Sequence, residues 1–303
     1  MIRYLTNDQI VRQKWDQCIE QAPNGLIYAY SWYLDACEVQ WDGLILNDYE
    51  AVMPLTYNKK YGIHYLFQPW FCASLGIFSL DILNEQQINI FIQAIPGKFR
   101  YVDISLNYTN RCSFKSAAIT ERVSYLLSLK PTYEQLRQSY RTQLKRNLSK
   151  AQAAGLIVKW DIAINEIYPL AKEIMQRVSP INNSEAKRML DLFDAVHKNK
   201  QTETVGIYSP SNELLASAVF FHSHQRWYYL IVGNHPNGKT LGASHYLIDR
   251  FIERHANSDE LLDFEGSDIG NIAYFYSSFG AVAASYQALK INRLPKILRW
   301  LKK

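Results

Sequence analysis

The segment "DFEGSDIGNIAYFYSSFGA" (263–281) joins a strand-like run to a helix-like run through a short turn. Asp263 and Glu265 flank Phe264 at the end of the run "ELLDFEG" (260–266). Because side chains alternate along a strand, both carboxylates are predicted to point to the same side of the sheet. In α/β folds, ligands bind at the carboxyl ends of strands, so this pair marks a candidate site.

The second part of the segment carries the signals of a short helix. Gly266 interrupts the strand pattern, and Ser267 or Asp268 is suited to cap a following helix. Gly280 is the usual kind of residue at a helix stop. The segment therefore predicts a strand, a tight turn and a helix over 270–279.

The rest of the second half alternates strand-like and helix-like patterns. The strand-like runs are "ETVGIY" (203–208), "LLASAVFFH" (214–222), "RWYYLIVG" (226–233) and "AASYQALKI" (283–291). A polar stretch with three glycines, "GNHPNGKTLGAS" (233–244), is predicted to be a loop, and Ala243, Leu247 and Phe251 then recur at helical spacing. This order predicts an α+β domain with a sheet flanked by helices.

The first half repeats this order more loosely. Its strand-like runs are "DGLILN" (42–47), "EAVMPLTYN" (50–58), "IHYLFQP" (63–69), "RYVDISL" (100–106) and "VSYLLSL" (123–129), with a predicted helix over 84–94. Two halves with the same element order suggest an ancient duplication, although no sequence identity between them is visible.

A basic segment, "TYEQLRQSYRTQLKRNLSKAQAAG" (132–155), separates the two halves. Its residues Leu136, Tyr140, Leu144 and Leu148 recur every fourth position, which predicts one long helix over 133–154 with a single apolar stripe. Placing the boundary just before this helix predicts an N-terminal domain, 1–130, and a C-terminal domain, 131–303.

Composition narrows the class of protein. The 303 residues are 48% hydrophobic with a net charge of +5, which suits a globular protein with a phosphate-bearing ligand better than one that coats nucleic acid. The four cysteines are widely spaced and predict reduced thiols in the cytoplasm. The start lacks the apolar core of a signal peptide, and no apolar run is long enough to predict a membrane span.

At this point the chain resembles a known family. Hairpin, strand, glycine-containing stretch, helix, strand, helix and strand is the element order of the GNAT (N-acetyltransferase) fold. Two such halves resemble the Fem-type (FemAB-like) aminoacyltransferases and their uncharacterised bacterial relatives. The segments "QPWFCASLGIF" (68–78), "RTQLKRNLSKAQAAGL" (141–156) and "LLDFEGSDIGNIAYFYSSFGA" (261–281) are similar to characteristic parts of that family. The resemblance covers nearly the whole chain.

The resemblance implies two tandem GNAT-like domains and a transferase that moves an acyl or aminoacyl group onto an amine. The implied acceptor is a small molecule or peptide, nucleotide-linked in the case of a peptidoglycan precursor. The implied donor is aminoacyl-tRNA or acyl-CoA, with no tightly bound cofactor. The stretch 237–243 only partly matches the closely spaced glycines of the GNAT phosphate loop, which favours tRNA over coenzyme A. The alternatives are an acetyl-CoA-dependent N-acetyltransferase and a non-catalytic protein that kept the fold and a ligand cleft.

Two residues of the opening segment are the candidate catalytic pair. Glu265 is assigned as the general base or the carboxylate that orients the amine, and Asp263 as a substrate-binding residue beside it. The alternative for Glu265 is a structural contact that holds the turn. Tyr276 resembles the GNAT tyrosine that protonates the leaving group. Its alternative is core packing, because Tyr276 shares helical spacing with apolar neighbours.

The candidate binding residues are basic or glycine. Lys239 and the amides around Gly242 are suited to hold a phosphate at a helix start, the alternative being an exposed lysine in solvent. Lys145 and Arg146 are assigned to a nucleotide diphosphate or a tRNA backbone, the alternative being a solvated face. Arg177 is assigned by resemblance to a nucleotide-linked acceptor.

No metal site is predicted. His222 and His224 alternate on a strand-like run, but two ligands without a third do not hold a metal.

Overall fold

The computed structural model describes residues 1–114, 117–178, 183–266 and 269–295. The strands are β1 (Ile2–Leu5), β2 (Gln40–Leu46), β3 (Ala51–Lys60), β4 (Ile63–Phe67), β5 (Phe78–Ser79), β6 (Phe99–Ser105), β7 (Ala118–Ser128), β8 (Ile157–Trp160), β9 (Thr202–Tyr208), β10 (Leu214–Ser223), β11 (Arg226–Asn234), β12 (Leu261–Gly266) and β13 (Val282–Asn292). The α-helices are α1 (Arg12–Gln21), α2 (Ser31–Ala36), α3 (Glu85–Gln93), α4 (Tyr133–Gln138), α5 (Thr142–Ala153), α6 (Ile164–Val178), α7 (Asn183–Lys198), α8 (Pro236–Leu241), α9 (Ala243–His255) and α10 (Gly270–Ser277).

Contacts divide the chain into two compact units. Unit 1 is residues 1–123 with the segment from Ser285 onward, and unit 2 is residues 124–284. The division into an N-terminal domain, 1–130, and a C-terminal domain, 131–303, stays a prediction made from the sequence. In each unit a mixed sheet lies against helices, as the predicted fold class requires.

Unit 1 contains a sheet in the order β1-β2-β3-β4-β6-β13, with β5 beside β3. The pair β4–β6 is parallel and the other pairs are antiparallel. Its core is formed by buried apolar side chains of these strands and of α3, including Ile88, Phe91 and Ile92. The predicted helix over 84–94 is confirmed, and Asn84 caps it by accepting the Gln87 N–H.

Unit 2 contains a sheet in the order β7-β12-β11-β10-β9-β8. The pair β11–β12 is parallel and the other pairs are antiparallel. The predicted strands of the second half are confirmed. The continuous apolar run of β10 is buried from Leu215 to Phe221, as expected for a central strand.

The last strand of each half is placed differently from its sequence order. The run 123–129 follows the first-half strands, yet residues 124–128 of β7 pair with β12 in unit 2. The run 283–291 follows the second-half strands, yet residues 288–292 of β13 pair with β6 in unit 1. The alternation of side chains along a strand does not identify the neighbouring strand, because the same alternation fits either sheet.

The predicted single helix over 133–154 is wrong. Helix α4 ends at Gln138 and α5 begins at Thr142, because Arg141 has extended backbone angles and its N–H donates to the carbonyl of Ser278 at 3.0 Å. The predicted apolar stripe is nevertheless buried: Leu136, Tyr140, Leu144 and Leu148 all lie in the core of unit 2. The four apolar side chains therefore stay buried despite the break, and the Arg141 N–H connects the start of α5 to the end of α10.

The stretch 233–244 is also corrected, from a loop to a short helix. Pro236 begins α8, and His235 caps it by accepting the Asn237 N–H. Gly242 then has a φ of 73° and joins α8 directly to α9. In addition, His224 lies in the turn between β10 and β11 rather than beside His222 on the strand.

Candidate functional site

Strands β11 and β12 part from each other inside unit 2. Their parallel pairing covers Arg226, Trp227 and Tyr228 opposite Leu261, Leu262 and Asp263, whereas β11 continues to Asn234 and β12 to Gly266. Such a parting turns backbone N–H and C=O groups of the two strands toward a wedge between them. The parallel pairing of the two strands therefore ends at Tyr228 and Asp263.

A β-bulge at the end of β12 positions the candidate base. Between Asp263 and Gly266 the register against β7 gains one residue on β12, and Glu265 has a φ of 66°. The N–H of Glu265 donates to Oδ1 of Asp263 at 2.9 Å. Gly266, predicted to interrupt the strand, is the last residue of β12, and Ser267 and Asp268, the predicted helix caps, lie outside the described residues.

Asp263 is held inside unit 2. Its Oδ1 also accepts the Ser124 hydroxyl at 2.8 Å, and its Oδ2 accepts an N–H of the Arg226 guanidinium at 2.8 Å. Asp263 is 3% exposed. The simple strand alternation that predicted Asp263 and Glu265 on one side does not extend through the bulge, because Asp263 is buried and Glu265 is partly exposed.

Tyr276, on α10, packs against Phe264, the residue between the two carboxylates. Burial raises its pKa well above 10, and the charges of Glu265 and Asp263 raise it further. Its ring stacks on Phe264 at 4.8 Å and meets Tyr229 edge-on at 6.4 Å. Tyr276 thus packs against the core, and it also keeps its phenolic proton at neutral pH, as a proton donor to a leaving group must.

The remaining candidate binding residues lie elsewhere on unit 2. Lys145 and Arg146 are exposed on α5, and Lys145 Nζ donates to the Gln138 carbonyl at 3.2 Å. Lys239 is exposed on α8. Arg177 is exposed near the end of α6, where it pairs with Glu173 one turn away. The structure therefore joins Asp263 to the Glu265 backbone, packs Tyr276 on the intervening Phe264, and leaves these four basic side chains on exposed helix surfaces.

Gly242 is explained by helix packing. A Cβ at this position would lie 2.8 Å from the carbonyl oxygen of Asn147 on α5. The space beside Gly242 is therefore filled by protein, and its φ of 73° favours glycine in any case. A phosphate contact at Gly242 stays a prediction.

This packing predicts opposite effects of alanine at two glycines. Gly242→Ala is expected to lower the free energy of unfolding by about 1–3 kcal/mol, because it adds strain and a contact with Asn147. Gly270→Ala, where a Cβ meets nothing within 4 Å, is the matched control and is expected to leave stability equal or slightly higher. Urea unfolding of both variants checks this, and equal losses would contradict it.

His245 is a buried residue that the sequence did not mark. It lies in the first turn of α9, its Nε2 lies 3.2 Å from the Asn147 side-chain amide, and its ring meets Phe275 edge-on at 4.7 Å. Burial lowers the His245 pKa from 6.5 to about 4. Its imidazole is therefore neutral at pH 7.

A pH prediction follows from the lowered pKa of His245. Between about pH 4 and pH 6.5 the unfolded chain binds a proton at this position that the folded chain does not, so stability falls as the pH falls through this window. His245→Gln cannot titrate and is expected to flatten this part of the stability profile. Thermal unfolding at several pH values checks it, and an unchanged slope would be the contrary result.

Other contributors to the site were missed for physical reasons. Tyr229 and Phe264 are apolar-patterned strand residues and differ in no way from core residues in the sequence. Arg226 and Ser124 lie far from Asp263 in sequence, so only their spatial pairing reveals them.

Comparison with solved structures places the chain among proteins of one fold. FemX matches with a TM-score of 0.67 and 12% identity, over 99% of this chain and 99% of FemX. The fold is that of FemX. A protein of unknown function from Bacteroides thetaiotaomicron VPI-5482 matches with a TM-score of 0.56 and 10% identity, over 96% and 99% of the two chains. L-PGS from Bacillus licheniformis matches with a TM-score of 0.56 and 9% identity, over 95% and 93%.

The predicted fold class, α+β with two GNAT-like domains, is confirmed by the FemX match. No protein-family model matches the sequence, and no curated protein matches it. Among the described ranges, no helix combines the length and apolar character that crossing a bilayer requires.

Proposed function

We propose that the chain is an acyl- or aminoacyltransferase that moves an acyl group onto an amine. The observation that carries the proposal is that Tyr276 stacks on Phe264, the chain neighbour of Glu265, at the end of β12 where β11 and β12 part. The two side chains supply the two proton transfers that aminolysis of an ester or thioester needs. Full-length similarity to the FemX fold supports the same reaction class.

In this reaction each part of the wedge has a role. The Glu265 carboxylate holds the incoming ammonium and accepts its proton, so that the amine becomes a nucleophile. Backbone N–H groups of the parted strands stabilise the oxyanion on the attacked carbonyl. The Tyr276 phenol, whose raised pKa keeps it protonated, gives a proton to the departing oxygen or sulfur.

Aminoacyl-tRNA is the donor that we propose. An acyl-CoA donor of the GNAT type needs its pyrophosphate at a helix start, and the stretch 237–243 only partly matches the closely spaced glycines that hold it. Helix α5 instead exposes Lys145 and Arg146, as a contact with an extended phosphate backbone requires. The proposed acceptor is the amine of a small molecule or peptide, such as a nucleotide-linked peptidoglycan precursor, met in the cytoplasm.

Label transfer tests the reaction and the donor. The protein is incubated with an amine acceptor and, separately, with aminoacyl-tRNA or acetyl-CoA that carries label in the acyl group. The proposal predicts label in a base-stable amide with the tRNA donor. An amide from acetyl-CoA alone would indicate an N-acetyltransferase, and no amide from either donor would indicate a non-catalytic binding protein.

Charge reversal on α5 gives a further prediction. Lys145→Glu with Arg146→Glu is expected to weaken tRNA binding and to reduce the slope of log affinity against log salt by about 2, because fewer counterions are released. The matched control is Lys59→Glu with Lys60→Glu, which makes the same charge change at exposed positions of unit 1. Binding measured at several salt concentrations decides, and an equal response of both pairs would leave α5 as a solvated surface.

A further inference from the structure

The backbone at Glu265 has a conformation that a glutamate rarely adopts. A φ of 66° lies in the left-handed region, which is uncommon for residues other than glycine and asparagine. Such a residue persists when its surroundings impose the conformation, and it occurs often at functional sites. The question is which groups impose it here.

The Asp263 carboxylate contacts this backbone directly. Its Oδ1 accepts the N–H of Glu265 at 2.9 Å, two residues along the chain, and the Ser124 hydroxyl at 2.8 Å. Ser124 is itself 1% exposed, so the contact lies inside unit 2. Two donors on one oxygen fix the Asp263 side chain relative to both β12 and β7.

Arg226 completes the arrangement from β11. Its guanidinium donates to Asp263 Oδ2 at 2.8 Å, and the two side chains are 15% and 4% exposed. A buried carboxylate is costly unless it is paired, and the ion pair with Arg226 holds the Asp263 side chain in place. Arg226 also lies in the short paired part of β11 and β12, just before the strands separate.

We infer that Asp263, Arg226 and Ser124 form a positioning clamp that holds the Glu265 backbone in its left-handed bulge and so aims the Glu265 carboxylate. Asp263 is then a positioning residue and does not bind the acceptor amine, contrary to its sequence-based assignment. The inference rests on the proposed function for its kinetic consequence. Its structural consequence, the hydrogen bond to the Glu265 N–H, holds whatever the reaction is.

Two variants of the clamp separate positioning from binding. Asp263→Ala removes the acceptor of the Glu265 N–H and is expected to lower kcat about a hundredfold with an unchanged KM for the amine, since a misplaced group acts poorly. Asp263→Asn with Arg226→Gln restores an acceptor oxygen and a neutral side-chain pair, and it is expected to recover most of the lost turnover. If Asp263 bound the acceptor ammonium, both variants would instead raise KM by similar factors.

A spectroscopic measurement makes the test independent of activity. The amide proton of Glu265, followed by NMR, is expected to lose its hydrogen-bonded shift in Asp263→Ala and to regain it in the double variant. Asp249→Ala is the matched control, because it breaks another buried pair of unit 2, with Arg250, that does not involve Glu265. It is expected to lower Tm without moving the Glu265 amide signal.

The outcomes are distinguishable. If no variant and no parent protein shows turnover, the proposed function fails, while the amide signal still decides the clamp. A Glu265 amide signal that is unchanged in Asp263→Ala overturns the clamp, as does a rise in KM that the double variant shares.

Discussion

Glu265→Gln is expected to lower kcat by about a hundredfold or more while the fold is kept, because glutamine cannot accept a proton from the amine. The substitution keeps the size of the side chain and leaves the hydrogen bond from the Glu265 N–H to Asp263 intact. Tyr276→Phe is expected to cost less, because solvent can protonate the leaving group. Turnover and Tm are measured on the same preparations.

A glycine at position 265 separates the role of the carboxylate from that of the backbone conformation. Glu265→Gly relieves the left-handed backbone at φ 66°, so its stability is expected to stay within about 1 kcal/mol of the parent. Its turnover is expected to be as low as that of Glu265→Gln. If Glu265→Gln lowers Tm and leaves activity per folded molecule unchanged, the carboxylate only holds the turn and the catalytic assignment is wrong.

Phe264→Ala is expected to lower the free energy of unfolding of unit 2 by about 3–5 kcal/mol. Phe264 is 0% exposed, and its ring lies 4.8 Å from Tyr276, 5.9 Å from Phe279 and 6.1 Å from Tyr229. Alanine leaves a cavity between β12 and α10, beneath the candidate catalytic pair. Urea unfolding followed by circular dichroism gives the change.

The control for Phe264 is the neighbouring ring of Phe275. Phe275 is only partly buried against the same core, so Phe275→Ala is expected to cost clearly less. Equal losses for the two variants, or a loss below about 1 kcal/mol for Phe264→Ala, would contradict the account of Phe264 as the ring that supports the wedge.

The elements of the fold were predictable because local patterns decide them. The buried run of β10 and the buried face of α9 follow from hydrophobic periodicity, and Gly280, with a φ of 86°, lies in the turn that follows α10. Pairing was not predictable to the same degree. Which sheet receives residues 124–128 of β7, and where Arg141 interrupts the basic helix, depend on partners distant in sequence.

The candidate site was predictable in part. The segment 263–281 predicted a strand followed by a helix, which are β12 and α10, and the catalytic roles of Glu265 and Tyr276 stay predictions. Strand alternation predicted Asp263 and Glu265 on the same side of the sheet. The prediction does not hold, because a β-bulge adds one residue to β12 between Asp263 and Gly266. Arg226 and His245 could not be found, since burial and pairing set their roles and no motif marks them.

The most direct test of the account is the position of a bound donor. A structure of the protein with a stable amide analogue of the 3′ end of an aminoacyl-tRNA shows where the acyl group lies. We expect its carbonyl between β11 and β12, within hydrogen-bonding reach of backbone N–H groups, with Glu265 and Tyr276 beside it. An acyl group bound outside this wedge, with Glu265 and Tyr276 out of reach, would contradict the assignment of both residues to catalysis.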